Sequence, residues 1–305
     1  MSTKDKKTMD EGTVSNLLTS LIVIAAEAGA AISEVYHTKF EVSYKEDRSP
    51  LTMADQRSHT IILSRLQELS LQIPVLSEEG RDIPYEEREA WKYFWLVDPL
   101  DGTKEFVKRN GEFTVNIALI RGDKPAAGLI YIPEKKTYYF AAQGLGAYKV
   151  TSDDIALAEL SFDDLLSIAK RLSAGGRTVQ SGRPLRIIGS RSHASKENED
   201  FIKAMREQYA DVEILSAGSS LKFCLVAEGV ADVYPRFGPT MEWDTAAGQC
   251  IVEESGGAVV DKSRKRLTYN KESLLNSDFI VCGSESLLKE LTYYMSIGYG
   301  AWGKY

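Results

Sequence analysis

Residues 95–120 read WLVDPLDGTKEFVKRNGEFTVNIALI. The stretch opens as a buried strand should, with Trp95, Leu96 and Val97, and closes on a second apolar run, FTVNIALI. Between them stand two aspartates, Asp98 and Asp101, separated by Pro99 and Leu100 and followed by Gly102 and Thr103. Further strand-like runs extend this pair outward. YFWLVD, FTVNIALI, AAGLIYIP, TYYFAAQ and GAYKV follow one another from Tyr93 to Val150, with Gly, Pro and Lys between them. The pattern predicts an antiparallel meander with helices on one face.

The flanks differ. Upstream, apolar residues recur at helical spacing from Leu17 to Val35 and again from Ala54 to Leu69, with a loop, KEDRSPLT, between. A short strand, Ile73 to Leu76, leads into Ser77-Glu78-Glu79-Gly80, and the charged 81–92 segment reads as loop. Its run YEEREAWK reads as solvated surface. The stretch 151–183, with Gly175, Gly176 and Gly182, reads as an insertion or linker. Beyond it strands and helices alternate: LRIIGS, then a helix from Lys196 to Tyr209, VEILS, a helix from Ser219 to Glu228, and ADVYP. A helix from Trp243 to Glu254, GAVV, FIVCG and a helix from Glu285 to Ser296 complete the α/β layout. The chain thus divides into an N-terminal α+β half (1–155), an insertion or linker (156–183) and a C-terminal α/β half (184–305).

The composition narrows the functional class. The chain has 305 residues, 43% hydrophobic and 27% charged, as in an ordinary globular protein able to bury a full core. A net charge of −7 argues against a nucleic-acid polymer as partner. Cys224, Cys250 and Cys282 are far apart and odd in number, which suits reduced thiols in the cytoplasm. The N-terminus lacks the apolar core of a signal peptide, and the run from Val14 to Ile32 is too polar to be a transmembrane segment. An amphipathic helix packed on the core explains that run; peripheral contact with the inner face of the cell membrane is the weaker alternative. No oligomeric state is assigned.

Five acidic residues carry the chemical signal: Asp55, Glu78, Asp98, Asp101 and Asp244, each where an element starts or stops. Any one of them alone reads equally as a helix cap or turn residue. Asp98 and Asp101 together do not. Like charges pressed around one proline turn either raise a carboxyl pKa or demand a cation. Magnesium answers the demand: it takes oxygen ligands, uses few protein carboxylates and shares itself with a substrate phosphate. The Leu100 carbonyl is placed as a further oxygen ligand. If the chain turns helical after Gly102, the Gly102 and Thr103 amides form an anion cradle. Metal-assisted phosphoryl transfer to water is the reaction this set suggests.

The segments KEDRSPLTMAD (45–55), PVLSEEG (74–80), residues 95–120 and EWDTAAG (242–248) resemble the inositol monophosphatase superfamily of magnesium-dependent, lithium-inhibited phosphatases. SRSHA (190–194), GSSLKFCLVAEG (218–229) and YPRFGPT (234–240) are similar to its bacterial CysQ-type 3′(2′),5′-bisphosphate nucleotidases. The resemblance covers most of residues 40–295. It implies a five-layered α-β-α-β-α sandwich with the active site between its halves. It implies that Glu78, Asp98, the Leu100 carbonyl, Asp101 and Asp244 ligate two or three Mg²⁺ ions, with Asp98 bridging and Glu79 the lesser candidate. Asp55 and Thr103 would activate the attacking water, and Gly102 and Thr103 would contact the scissile phosphate, beside Glu78 and Asp244.

The implied substrate is a small nucleotide, adenosine 3′,5′-bisphosphate, cleaved to AMP and phosphate. 3′-Phosphoadenylyl sulfate is a second substrate, and the implied role is clearing the by-product of sulfate activation. Its other phosphate and its base need donors beyond the metal site. His193, Lys222 and Arg236 are the candidates, with Arg191 behind them, and the Gly218-Ser219-Ser220 turn should offer amides and hydroxyls to the ribose. The competing readings are a surface loop residue for His193, a solvated helix residue for Lys222 and a loop support for Arg236. Two other functions stay open: an inositol or other sugar phosphatase with the same chemistry, and a non-catalytic metal or nucleotide sensor on the same fold.

Overall fold

The structure, a computed structural model, describes residues 11–38, 42–44, 50–69, 72–152, 160–175, 182–191 and 195–296. It begins with the long helix α1 (Glu11–Tyr36), a small antiparallel pair β1 (Val42–Tyr44) and β2 (Pro50–Thr52), and helix α2 (Met53–Glu68). A seven-stranded sheet follows. Its strands are β3 (Val75–Ser77), β4 (Tyr93–Asp101), β5 (Thr114–Arg121), β6 (Lys124–Ile132), β7 (Thr137–Ala142), β8 (Gly146–Thr151) and β9 (Lys170–Arg171), neighbours in that order. Every pairing is antiparallel except β3 with β4. The predicted meander is therefore present, with one parallel strand added at the edge that leads to Glu78.

The expectation of helices on one face needs correction. Along β4, Trp95 and Val97 join one buried cluster with α1 and α2, while Phe94 and Leu96 join a second cluster on the opposite face. Successive side chains of a strand point to opposite faces, so an apolar run without alternation reports a sheet covered on both sides. The second cover is α8 (Glu242–Glu254), which lies against the middle strands with α7 (Leu221–Ala227) beside it. A Cβ on Gly128 of β6 would come within 2.8 Å of the Ala247 carbonyl oxygen, so glycine there lets α8 approach.

Beyond α7 and α8 lies a five-stranded sheet, order β11-β10-β12-β14-β13. It is built from β10 (Leu185–Ser190), β11 (Val212–Ala217), β12 (Val233–Arg236), β13 (Ala258–Asp261) and β14 (Phe279–Cys282). Its strands β10, β11 and β12 run parallel, and β14 pairs antiparallel to both β12 and β13. On its far face α6 (Lys196–Gln208) and α9 (Glu285–Ser296) bury Phe201, Met205, Leu287 and Leu291 against Ile187, Val233 and Ile280. The five layers expected of the sandwich are present in that order.

One local reading changes. Residues 81–92 are not all loop and surface: α3 (Tyr85–Arg88) forms there, and Arg88 is only 2% exposed. Its guanidinium satisfies carbonyls far along the chain, which no local pattern announces. Within 156–183, α5 (Phe162–Ile168) buries Leu165 with the α1 cluster and β9 pairs with β8. The apolarity of α1, long and apolar enough to cross a membrane by length and composition, is used inside the molecule: Leu18, Leu21, Ile22, Ala25, Ala28 and Ile32 are all buried in the core.

Candidate active site

The parallel register of β3 with β4 sets the first two carboxylates side by side. Ser77 is opposite Val97, and the Glu78 amide donates to the Val97 carbonyl at 3.1 Å. Asp98 follows on β4 and, by alternation, shares the face of Phe94 and Leu96, the face that α8 covers. Asp244 lies in the first turn of α8 and accepts the Met241 amide at 2.7 Å, which caps the helix. One carboxylate oxygen from each of Glu78, Asp98 and Asp244 lies within 4.8 Å of the others. Asp98 is 1% exposed, whereas Glu78 is exposed and Asp244 half-buried.

Electrostatics make this arrangement costly without a cation. Burial pushes the Asp98 carboxyl well above its ordinary range, and the charges of Glu78, Asp101, Asp244 and Asp55 push it further. Burial does the same to Asp244, with Asp101 and Glu78 adding to it. An all-oxygen, acidic cluster opening on a cleft is the donor set a hard divalent cation takes, so the residues present fit magnesium.

Asp101 sits differently. The ladder of β4 shifts register between Asp98 and Asp101, turning the chain into α4 (Thr103–Val107). One Asp101 oxygen accepts the Ser220 amide at 2.5 Å. Burial raises its pKa, and the Lys222 charge and that amide oppose the rise. Gly102 stands at φ 90° before α4, and a Cβ there would come within 3.1 Å of Ser219, so both its conformation and its neighbour call for glycine. The cleft, of about 260 Å³, is lined by Glu78, Asp98, Leu100, Asp101, Gly102, Thr103 and Asp244. Asp55, in the first turn of α2, is 3% exposed and close enough to raise Asp98. Glu79 turns toward Gln56.

The C-terminal half also lines the cleft with Ser190, Ser219, Ser220, Lys222, Phe223, Tyr234, Arg236 and Phe279. Lys222 is 4% exposed, which excludes the solvated-helix reading. Its ammonium donates to the Ser219 carbonyl at 2.5 Å and lies 5.2 Å from the Tyr234 ring centre. Burial lowers its pKa to about 8, against the pull of Asp101. Arg236 does support its loop, donating to the Pro239 carbonyl at 3.0 Å, yet its Nε is buried with no acceptor among the described residues. His193 lies outside the described residues. Arg191 donates to Glu112 at 2.9 Å and to the Ser216 carbonyl, so its charge is already matched.

The turn at 218–220 corrects one expectation. The Gly218 and Ser220 donors do not stand open. The Gly218 amide donates to Glu112 at 2.8 Å, the Ser220 amide to Asp101, and the Ser220 hydroxyl to Asn116 at 2.7 Å. Ser219, held at φ 44°, keeps its side chain at the cleft. Glu105, Glu112, Asn116 and the Tyr234 ring were not singled out in the sequence. Asn116, the lone amide in FTVNIALI, carried the only local signal.

A sequence profile spans this whole arrangement, matching residues 14–294. The chain belongs to the inositol monophosphatase family. A relative from Salmonella typhimurium, named 3′(2′),5′-bisphosphate nucleotidase CysQ, is 44% identical over 269 residues, 87% of this chain and 99% of that protein. The crystal structure of CysQ from Bacteroides thetaiotaomicron, described as a bacterial member of the inositol monophosphatase family, is 43% identical. It superposes with a TM-score of 0.77, covering 89% of this chain and 98% of that one. The Thermotoga maritima inositol monophosphatase matches with a TM-score of 0.72 over 92% of this chain and 97% of that one, but at 19% identity it shares the fold alone.

Proposed function

We propose that this protein is a Mg²⁺-dependent phosphatase that removes the 3′-phosphate of adenosine 3′,5′-bisphosphate, and also accepts 3′-phosphoadenylyl sulfate. The observation that carries the reading is the cluster of Glu78, Asp98 and Asp244 oxygens within 4.8 Å, at a cleft that Lys222 and Arg236 also line. The nucleotide, rather than inositol phosphate, is favoured by the 44% identity to a named bisphosphate nucleotidase across nearly its full length.

Glu78, Asp98, the Leu100 carbonyl, Asp101 and Asp244 would hold two or three Mg²⁺ ions. A bound Mg²⁺ supplies charge neutralisation and a more acidic water. Asp55 and Thr103 would orient the attacking water, and the Asp55 carboxylate would take its proton; the Gly102 and Thr103 amides would hold the scissile phosphate. Lys222 and the Arg236 guanidinium, which line the same cleft, would meet the second phosphate, and Ser219 the nucleoside, with His193 assigned to the nucleotide by the family resemblance alone. Gly218 and Ser220 act by fixing that turn, because their donors are already engaged. Most of this positioning is electrostatic, which is what phosphoryl transfer requires. The N-terminal half (1–155) thus brings the metal and phosphate groups, and the half from 184 brings the recognition groups. Cytoplasmic placement agrees with three buried free thiols.

The test is phosphate release from adenosine 3′,5′-bisphosphate, 3′-phosphoadenylyl sulfate and inositol 1-phosphate, with and without Mg²⁺. The bisphosphate should lead in kcat/KM, and only with Mg²⁺. Faster cleavage of inositol 1-phosphate would overturn the substrate, and no turnover of any compound would favour a sensor.

A further inference from the structure

Glu242, at the start of α8, is 0% exposed and does not line the cleft. Its carboxylate accepts the Asn270 amide at 2.7 Å, the Lys271 amide at 3.0 Å and the Lys271 ammonium at 2.6 Å. The same loop holds the helix start from a second side: the Asn276 side chain donates to the Met241 carbonyl at 2.7 Å and to the Thr245 hydroxyl at 3.1 Å. Arg88 pins the loop from the N-terminal half. Its guanidinium donates to the Asn270 side chain at 2.9 Å, the Lys271 carbonyl at 2.6 Å and the Glu272 carbonyl at 2.8 Å. Its Nε reaches the Ile83 carbonyl at 3.3 Å, in the segment that follows Glu78.

An ion pair with one buried partner and one half-buried one is weak evidence for stability, since apolar groups of similar volume often do as well. What this one supplies is position. Asp98 is fixed by β4, which is paired on both sides. Glu78 and Asp244 are not: one follows an edge strand and the other lies in the first turn of a helix. The network Arg88–Asn270–Lys271–Glu242 reaches both stretches: Glu242 stands two residues before Asp244, and the Ile83 carbonyl five residues after Glu78. A shift of the α8 start by a fraction of an ångström would move Asp244 against Asp98 and Glu78 directly.

We propose that Arg88, Lys271 and Glu242 are positioning residues that set the spacing of Glu78 and Asp244 for the divalent cation. The inference rests on the metal site proposed above. Outer groups of this kind usually change metal affinity by about 10–100-fold when lost.

The experiment measures binding of Mn²⁺ alone to the substrate-free protein by electron paramagnetic resonance, beside Mg²⁺ activation and thermal melts. Lys271→Met and Glu242→Gln should each weaken Mn²⁺ binding by about tenfold and raise the half-activating Mg²⁺ equally. At saturating Mg²⁺, kcat should stay within about twofold of the wild type, as for a lost binding contribution rather than a lost transition-state contact. Lys271→Arg should restore Mn²⁺ binding. Lys149→Met, which breaks the distant Lys149–Glu228 pair, should lower the melting temperature and leave Mn²⁺ binding unchanged. Wild-type Mn²⁺ affinity in both Lys271→Met and Glu242→Gln overturns the inference, whatever happens to stability. Asp98→Asn separates the two readings: if it too binds Mn²⁺ normally, the metal site itself is wrong; if it does not, the inference alone has failed.

Discussion

Replacing Asp98 with asparagine should make the metal-free protein more stable at pH 7. The oxygens of Glu78, Asp98 and Asp244 lie within 4.8 Å of one another. At an effective dielectric constant of about 20, each fully charged pair at that distance repels by about 3.5 kcal/mol. The Asp98 carboxyl can escape by binding a proton, so its penalty is capped by the free energy of protonation. For an aspartate with an unfolded pKa of about 3.9, that cap at pH 7 is about 4 kcal/mol. The Asp98→Asn substitution removes the charge and keeps an oxygen for the Leu100 amide, which donates to the Asp98 carboxylate at 3.0 Å. The folded pKa of Asp98 is raised, so its contribution favours folding below the unfolded pKa and is lost as pH climbs toward the folded one. The expected gain for Asp98→Asn in EDTA is therefore about 2–4 kcal/mol at pH 7, shrinking toward zero near pH 4. Saturating Mg²⁺ should narrow or close the gap: at a hundredfold excess over its Kd the wild type gains about 2.7 kcal/mol, and the variant gains little. Urea melts followed by circular dichroism from pH 4 to 8, in EDTA and in Mg²⁺, measure all of this. A metal-free variant less stable than the wild type at pH 7, or a gap independent of pH, would refute the electrostatic account.

Four further outcomes follow from the same geometry. Thr103→Ala should cut kcat by about 10²–10³-fold while the half-activating Mg²⁺ stays the same, since its hydroxyl acts on water; steady-state kinetics at varied Mg²⁺ check this. Lys222→Met should raise KM for the bisphosphate by about tenfold or more, the loss expected for a charged hydrogen bond. Because burial lowers the Lys222 pKa to about 8, its charge is present below that pH and lost above it, so wild-type KM should rise above pH 8. Gly128→Ala would drive a Cβ to 2.8 Å from the Ala247 carbonyl oxygen, and denaturant melts should show a loss of about 1–3 kcal/mol.

Much of the architecture was legible because strands and helices announce themselves by period. The runs from Tyr93 to Val150 became five strands of one sheet, and the alternation after residue 184 became the second. The one-face reading failed because WLV and NIALI are apolar at nearly every position, which reports burial without naming the cover. Arg88 was misplaced for the converse reason: a charged neighbourhood, YEEREAWK, hides one buried guanidinium whose acceptors lie in residues 270–272.

The acidic motif could be read locally because like charges crowded around one proline turn have few physical resolutions, wherever the turn ends up. Whether Asp244 would meet them depended on α8 crossing the sheet at Gly128. Whether the Gly218–Ser220 donors would be open or spent depended on Glu112, Asp101 and Asn116, 104 to 119 residues away. Backbone periodicity and charge crowding are properties of neighbours in the chain. The spacing of carboxylates, the burial of Lys222 and the unmatched Nε of Arg236 are properties of faces brought together by packing, and they exist only once the two sheets have closed on α7 and α8.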